Sequence, residues 1–320
     1  MSLDASAPPK SVSKGTARRR TLTSRIGDIS EGRFWAYLLL LPSFLLVAAV
    51  VIYPVISGIW MSFNQFNIMR INRGMKFVGL DQYTSLFSDP TFWIIVRNTA
   101  VWVVAGSITQ FTLGLITALA LNRKSLRWSP VARVLILLPW VIPSVVAGHM
   151  WALLLDSRLG VINDILVRMG ILDTYRAWFA DPQTAMAAVL LVDLWRAFPF
   201  FTLLLFAGLQ SIPEELYEAA EVDGANPWHK FRAITIPMLT PVIVAAVILR
   251  MIGLVNSPDL MIVLTNGGPG YATYVLALHA FSTAYESFNF GAAAAISVIM
   301  LVILLVFTTL YLKFSGVNRD

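Results

Sequence analysis

Side chains able to do chemistry are sparse in this chain, and most of them stand alone. It contains no cysteine, which excludes a thiol nucleophile, thiolate metal ligands and disulfides together. His149, His229 and His279 are scattered without metal-ligand spacing. No nucleophile sits beside a base in any pattern that would mark an enzyme. No G-x-x-x-x-G-K-[ST] occurs, so ATP hydrolysis is not expected of this chain. Asn266-Gly-Gly-Pro-Gly270 has the composition of a phosphate cradle, but it does not join a strand to a helix and reads as a turn.

The remaining polar residues fall inside apolar runs, where an ionisable group is expensive and points to a pathway or to a neutralising partner. Asp193 lies mid-run with Arg196 three residues on, a spacing that places both on one helix face. Arg250, Asn256 and Asp259 follow in a later run, and Pro258 interrupts the helix there, freeing a carbonyl that needs another donor. Asn98, Gln110 and His149 are further polar candidates. One reading is a solute pathway lined by Asp193, Arg196, Asn256 and Asp259, with Trp195 and Phe198 as stacking surfaces. The other is a set of ion pairs that fix helix packing.

The elements that must position these residues are membrane helices. The chain has 320 residues, 57% hydrophobic and 13% charged, against about 25% charged in a soluble domain. A bilayer core of about 30 Å asks for about 20 apolar residues per span. Six segments qualify, at about 34–57, 94–121, 131–155, 184–210, 241–264 and 292–312, which predicts an all-α membrane protein. The first is too long and too interrupted by proline for a signal peptide. Residues 1–33 form a basic tail of a composition that does not fold. With the N-terminus in the cytoplasm, 15 Lys and Arg lie inside and six outside, which favours N-in and C-in. Seven of the 24 basic residues sit in that tail, so the net charge of +6 marks a membrane flank, not a nucleic-acid site. Leu80 to Phe87 is a short amphipathic stretch of an outer loop.

The loop at 211–238 is different, being polar and helix-forming. Ser211-Ile-Pro-Glu214 has the capping-box pattern and predicts a helix from there to about Val222. Gly224 is placed to stop it, Asn226 to cap a second helix and Pro227 to begin it, with an end before Pro237. At 100° per residue Glu214, Glu218 and Glu221 fall within about 60° of one another, opposite Leu216, Ala219 and Ala220. Trp228, Phe231 and Ile234 form an apolar stripe on the second helix. Like charges one turn apart repel, so an acidic ridge is more comfortable beside a basic partner.

This stretch resembles the EAA loop of inner-membrane permease subunits of binding-protein-dependent ABC importers. The shared positions are Glu218-Ala219-Ala220, Asp223-Gly224-Ala225, Phe231, Ile234 and Pro237. Phe77-Val-Gly-Leu-Asp-Gln-Tyr83, Leu209-Gln-Ser-Ile-Pro213 and Leu264-Thr-Asn-Gly-Gly-Pro269 are similar to the carbohydrate branch, of maltose and glycerol-phosphate type. The resemblance covers nearly the whole chain after about residue 33. It implies a type I importer permease fold and a coupling role for Glu218, Ala219, Ala220, Glu221, Asp223, Gly224, Ala225, Pro227 and Phe231. It also implies a dimeric cytoplasmic ATPase that binds the ATP and Mg, a second, related permease chain and an extracytoplasmic solute-binding protein. No cofactor and no metal are expected in this chain, and the bacterial inner membrane is its expected place. A sugar, glycoside or related solute is the expected cargo. The competing reading is a stand-alone ion-coupled carrier, which tends to show paired repeats that are not evident here.

Overall fold

The computed structural model describes residues 37–123 and 129–315. The expected tail at 1–33, together with Lys124, Arg127 and Arg319 of the charge count, lies outside the described residues. The chain divides into two units at Ser57 and Gly58. In the first, the described residues belong to a helix, α1, that runs Tyr37–Ser62 and carries a π-helical stretch at Ala48–Ile52.

The second unit takes in the last residues of α1, then a pair of two-residue strands, β1 (Asn64–Gln65) antiparallel to β2 (Lys76–Phe77), and then α2 (Asp81–Ser88). The main helices follow: α3 (Pro90–Leu121), α4 (Ser129–Val141), α5 (Ser144–Leu154), α6 (Val161–Arg168) and α7 (Ala185–Gln210). Next come α8 (Glu214–Val222), α9 (Pro227–Asn256), α10 (Asp259–Leu264), α11 (Leu276–Tyr285) and α12 (Phe290–Ser315). Among the described residues, five helices are long and apolar enough to cross a membrane, and the bent pair α4–α5 makes a sixth candidate.

Two segments differ from the sequence expectation in a way that bears on the site. The run expected at 131–155 is two helices bent by 96° at Ile142 and Pro143. Pro143 has no N–H to donate and pushes the residue before it away from the helical region. The run expected at 241–264 begins earlier, because α9 continues unbroken from the polar loop through Pro237. A π-helical stretch at Phe231–Thr235 precedes that proline and absorbs its missing donor. α9 then ends at Asn256, and α10 starts beyond Pro258.

Small residues set the packing. α3 begins where the Asp89 carboxylate accepts the Thr91 N–H at 2.8 Å, with Pro90 in the first turn. It then lies along α7. A methyl group at Gly114 would stand 2.5 Å from Phe201 Cβ, so the two backbones meet there as only glycine permits. One buried cluster gathers Phe92, Ile95, Trp102, Val192, Met261 and Ile296, and a second gathers Ala118, Phe201, Leu205, Leu209 and Leu239. Along α3, Gln110 falls between the members of the first cluster and those of the second, and it is fully buried. Outward faces such as Val101, Val104, Ile108 and Ile116 of α3 are apolar and exposed, as a hydrocarbon solvent requires.

Candidate functional site

The polar loop folds into two helices held by local bonds. α8 ends in a Schellman arrangement: the Ala225 N–H donates to the Ala220 carbonyl at 2.9 Å and the Gly224 N–H to that of Glu221 at 3.0 Å. Gly224 has φ +76°, a left-handed backbone that a side chain would strain. The Asn226 side chain then accepts the His229 N–H at 2.8 Å and caps α9, with Pro227 in its first turn. The expected capping box at Ser211 is not formed. Ser211 sits at the end of α7 and its hydroxyl donates to the Gly208 carbonyl at 2.8 Å, so α8 starts without a side-chain cap.

Two contacts clamp α8 to α9. The Tyr217 and Thr235 hydroxyls are 3.0 Å apart, and Lys230 Nζ lies 3.1 Å from the Glu221 carboxylate. Glu221 therefore has an internal counter-ion, while Glu218 is exposed and takes no ion pair among the described residues. Ala220, Asp223, Gly224, Ala225, His229 and Ala233 line a cleft between the helices. Trp228 stacks on Phe231 at 5.6 Å between ring centroids and stays two-thirds exposed, at 67%. Ile234 instead packs against the second buried cluster. Glu218, Ala219, Ala220, Glu221, Asp223, Gly224, Ala225, Pro227 and Phe231 are thus gathered on one compact projection.

The intramembrane residues form a different junction from the one the spacing suggests. Asp193 takes its short bonds from other helices: Arg250 Nη2 at 2.5 Å and Gln110 Nε2 at 2.8 Å, both on Oδ2. Gln110 Oε1 also accepts from Arg250 Nε at 2.5 Å, which closes a three-residue ring across α3, α7 and α9. Arg196 is the outer member, at 3.3 Å from Oδ1. The side chain of Asp193 is 2% exposed, against 14% for Arg250 and 19% for Arg196. At the break after α9, Pro258 cannot donate to the Leu254 carbonyl, and the Trp102 indole N–H takes that place at 3.0 Å. Trp102, Arg196, Arg250, Leu254 and Ser257 then line a small cavity with Asp193.

The other expected pathway residues lie outside that cavity. Asp259, exposed at the start of α10, accepts from Ser257 at 3.1 Å and from Ser144 of α5 at 3.2 Å, so it borders the cavity through Ser257. Asn256 is exposed and its amide donates to the Ile252 carbonyl of its own helix at 2.8 Å. Trp195 packs edge-on against Trp151 of α5 at 5.7 Å. Phe198 is half-buried, and its carbonyl accepts from Thr202.

Residues 110–315 match the family described as the inner membrane component of binding-protein-dependent transport systems. The chain belongs to this family. The matched region spans the polar junction, the 211–238 loop and the last helix. The permease is 37% identical over 284 residues to the trehalose/maltose transport system permease protein of Thermococcus litoralis, covering 89% of this chain and 94% of that one. It is 35% identical to the sulfoquinovosyl glycerol transport system permease protein of Agrobacterium fabrum, covering 88% and 90%. Its fold matches a chain of a bacterial ABC transporter that imports alginate, with a TM-score of 0.77 at 20% identity over 92% of this chain and all of that one. The chain is therefore an inner-membrane permease subunit of an ABC importer with the type I permease fold.

Sequence reasoning named Asp193 and Arg196 as a pair but did not place Gln110, Arg250 or Trp102 at the junction. Gln110 and Arg250 were visible only as polar residues in apolar runs. Trp102 carried no signal, because its role depends on a carbonyl 152 positions further along the chain.

Proposed function

We propose that this permease forms part of the translocation pathway for a sugar, glycoside or related solute, driven by a dimeric cytoplasmic ATPase through the 211–238 loop. The observation that carries the coupling role is the projection itself. It offers an exposed Glu218, an exposed Trp228 and a cleft floored by small residues, fixed by a Schellman cap and an Asn cap. A surface of that kind fits a docking cleft with a basic group opposite Glu218. ATP and Mg belong to the ATPase, whose closure would tilt the docked loop and, through the continuous α9, the membrane helices.

The names of the trehalose/maltose and sulfoquinovosyl glycerol relatives support a carbohydrate-type cargo. The pathway would be completed by a second, related permease chain, with delivery by an extracytoplasmic solute-binding protein. In this arrangement both termini face the cytoplasm, the junction of Asp193, Arg196 and Arg250 stiffens the pathway wall, and Asp259 borders it. Asn256, Trp195 and Phe198 stand near it as contacts for the solute.

The test is ATP-driven uptake by the assembled transporter carrying Glu218→Lys. Uptake should fall to background with membrane insertion unchanged. Normal uptake by that variant removes the coupling role, and transport by the lone chain under a proton gradient without ATP would establish the carrier reading instead. Co-purification followed by mass spectrometry should recover two permease species; a single species refutes the heterodimer.

A further inference from the structure

A shallow apolar groove runs between α3, α4 and α7, lined by Leu121, Arg133, Leu137, Leu203 and Phe206. Arg133 is the one charged residue in it. Its guanidinium carbon lies 4.3 Å from the centre of the Phe206 ring, over the negative face of the aromatic. Its Nε is buried with no hydrogen-bond partner, and Arg133 makes no ion pair among the described residues.

The three helices that form the groove offer it no free carboxylate. No Asp or Glu occurs between Asp89 and Asp156, so neither α3 nor α4 carries one. The one carboxylate within α7 is Asp193, which is already bonded to Arg250, Gln110 and Arg196. The sequence that joins α3 to α4 holds Arg123, Lys124 and Arg127 and no acidic residue. The groove's flank is apolar and exposed at Val134, Leu138 and Leu203. Its occupant must therefore be hydrocarbon along most of its length and anionic at one end, beside Arg133. Basic pockets between membrane helices near the cytoplasmic surface select anionic lipid headgroups on these grounds.

We propose that this groove holds an anionic phospholipid of the cytoplasmic leaflet. Its phosphate meets Arg133, and an acyl chain lies along Leu137 and Leu203. The assignment rests on the cytoplasmic placement of the α3–α4 connection proposed above, but its readout is lipid retention and does not depend on transport.

The test uses the full chain released from nanodiscs of equal phosphatidylglycerol and phosphatidylcholine, with retained lipid read by native mass spectrometry. Phosphatidylglycerol should be retained over phosphatidylcholine by about fivefold, the scale of one basic residue at a membrane surface. Arg133→Gln should abolish that preference, while Arg133→Lys keeps most of it with helix content unchanged. Leu137→Trp, which fills the groove and leaves the charge, should reduce retention of both lipids. Equal retention by the unaltered chain overturns the proposal, as does a preference that survives Arg133→Gln. Displacement by millimolar inorganic phosphate would reveal a free-anion site, and expulsion of the lipid when the second permease binds would make the groove a subunit seat; either result refutes it.

Discussion

Asp193→Asn probes the polar junction most directly. The carboxylate is 2% exposed and accepts from Arg250 at 2.5 Å, Gln110 at 2.8 Å and Arg196 at 3.3 Å. An amide has one acceptor oxygen, and its NH2 would face donors whichever way it turned. Two guanidiniums, 14% and 19% exposed, would then be left without a counter-charge. Removing one member of a buried ion pair costs about 3–5 kcal/mol, and that is the expected loss of stability. Arg250→Gln should cost a similar amount, since it strips the carboxylate of its shortest bond. Arg196→Gln should cost less, about 1–2 kcal/mol, because its contact is longer and its side chain more exposed. Tryptophan fluorescence during urea unfolding in mild detergent micelles would rank the three. The double variant Asp193→Leu/Arg250→Met should recover part of the loss, as apolar replacement of a buried pair often does. If Arg196→Gln proves as damaging as Arg250→Gln, or Asp193→Asn costs less than about 1 kcal/mol, the ring is not the element that joins these helices.

Other outcomes follow from single contacts. Trp102→Phe leaves the Leu254 carbonyl without a donor and should lower stability by about 1–3 kcal/mol in the same unfolding assay; a neutral result would mean that water replaces the indole. Gly114→Ala places a methyl 2.5 Å from Phe201 Cβ, and the overpacking should cost about 1–3 kcal/mol; unchanged stability would show that α3 and α7 separate freely. Gly224→Ala meets no neighbour within 4 Å, so only its φ of +76° is at issue. It should weaken the turn by about 1 kcal/mol and reduce uptake more than overall stability, with full uptake counting against a rigid turn.

How much of this was legible in the sequence depended on the reach of the bond concerned. The Gly224 stop and the Asn226 cap involve partners within five residues, and residue type alone announces them. Ser211 carried the same kind of signal and misled, because the end of α7 lies close enough to use the hydroxyl first. Summed hydropathy is blind to direction, so 131–155 read as one span although Pro143 splits it. The Asp193 partners lie 57 and 83 positions away, and only packing could choose them over Arg196 on the same helix.

The π-helical stretch at Phe231–Thr235 has an angular consequence. A π turn holds one residue more than the helix around it, which rotates everything upstream by about 100° relative to an uninterrupted α-helix. Pro227 to Lys230 and the membrane part of α9 thus share one axis but not one phase. The bearing on which Trp228 leaves the loop is set separately from the bearing on which Arg250 meets Asp193. Loss of a single residue from this stretch would keep the helix whole and turn the two faces out of alignment.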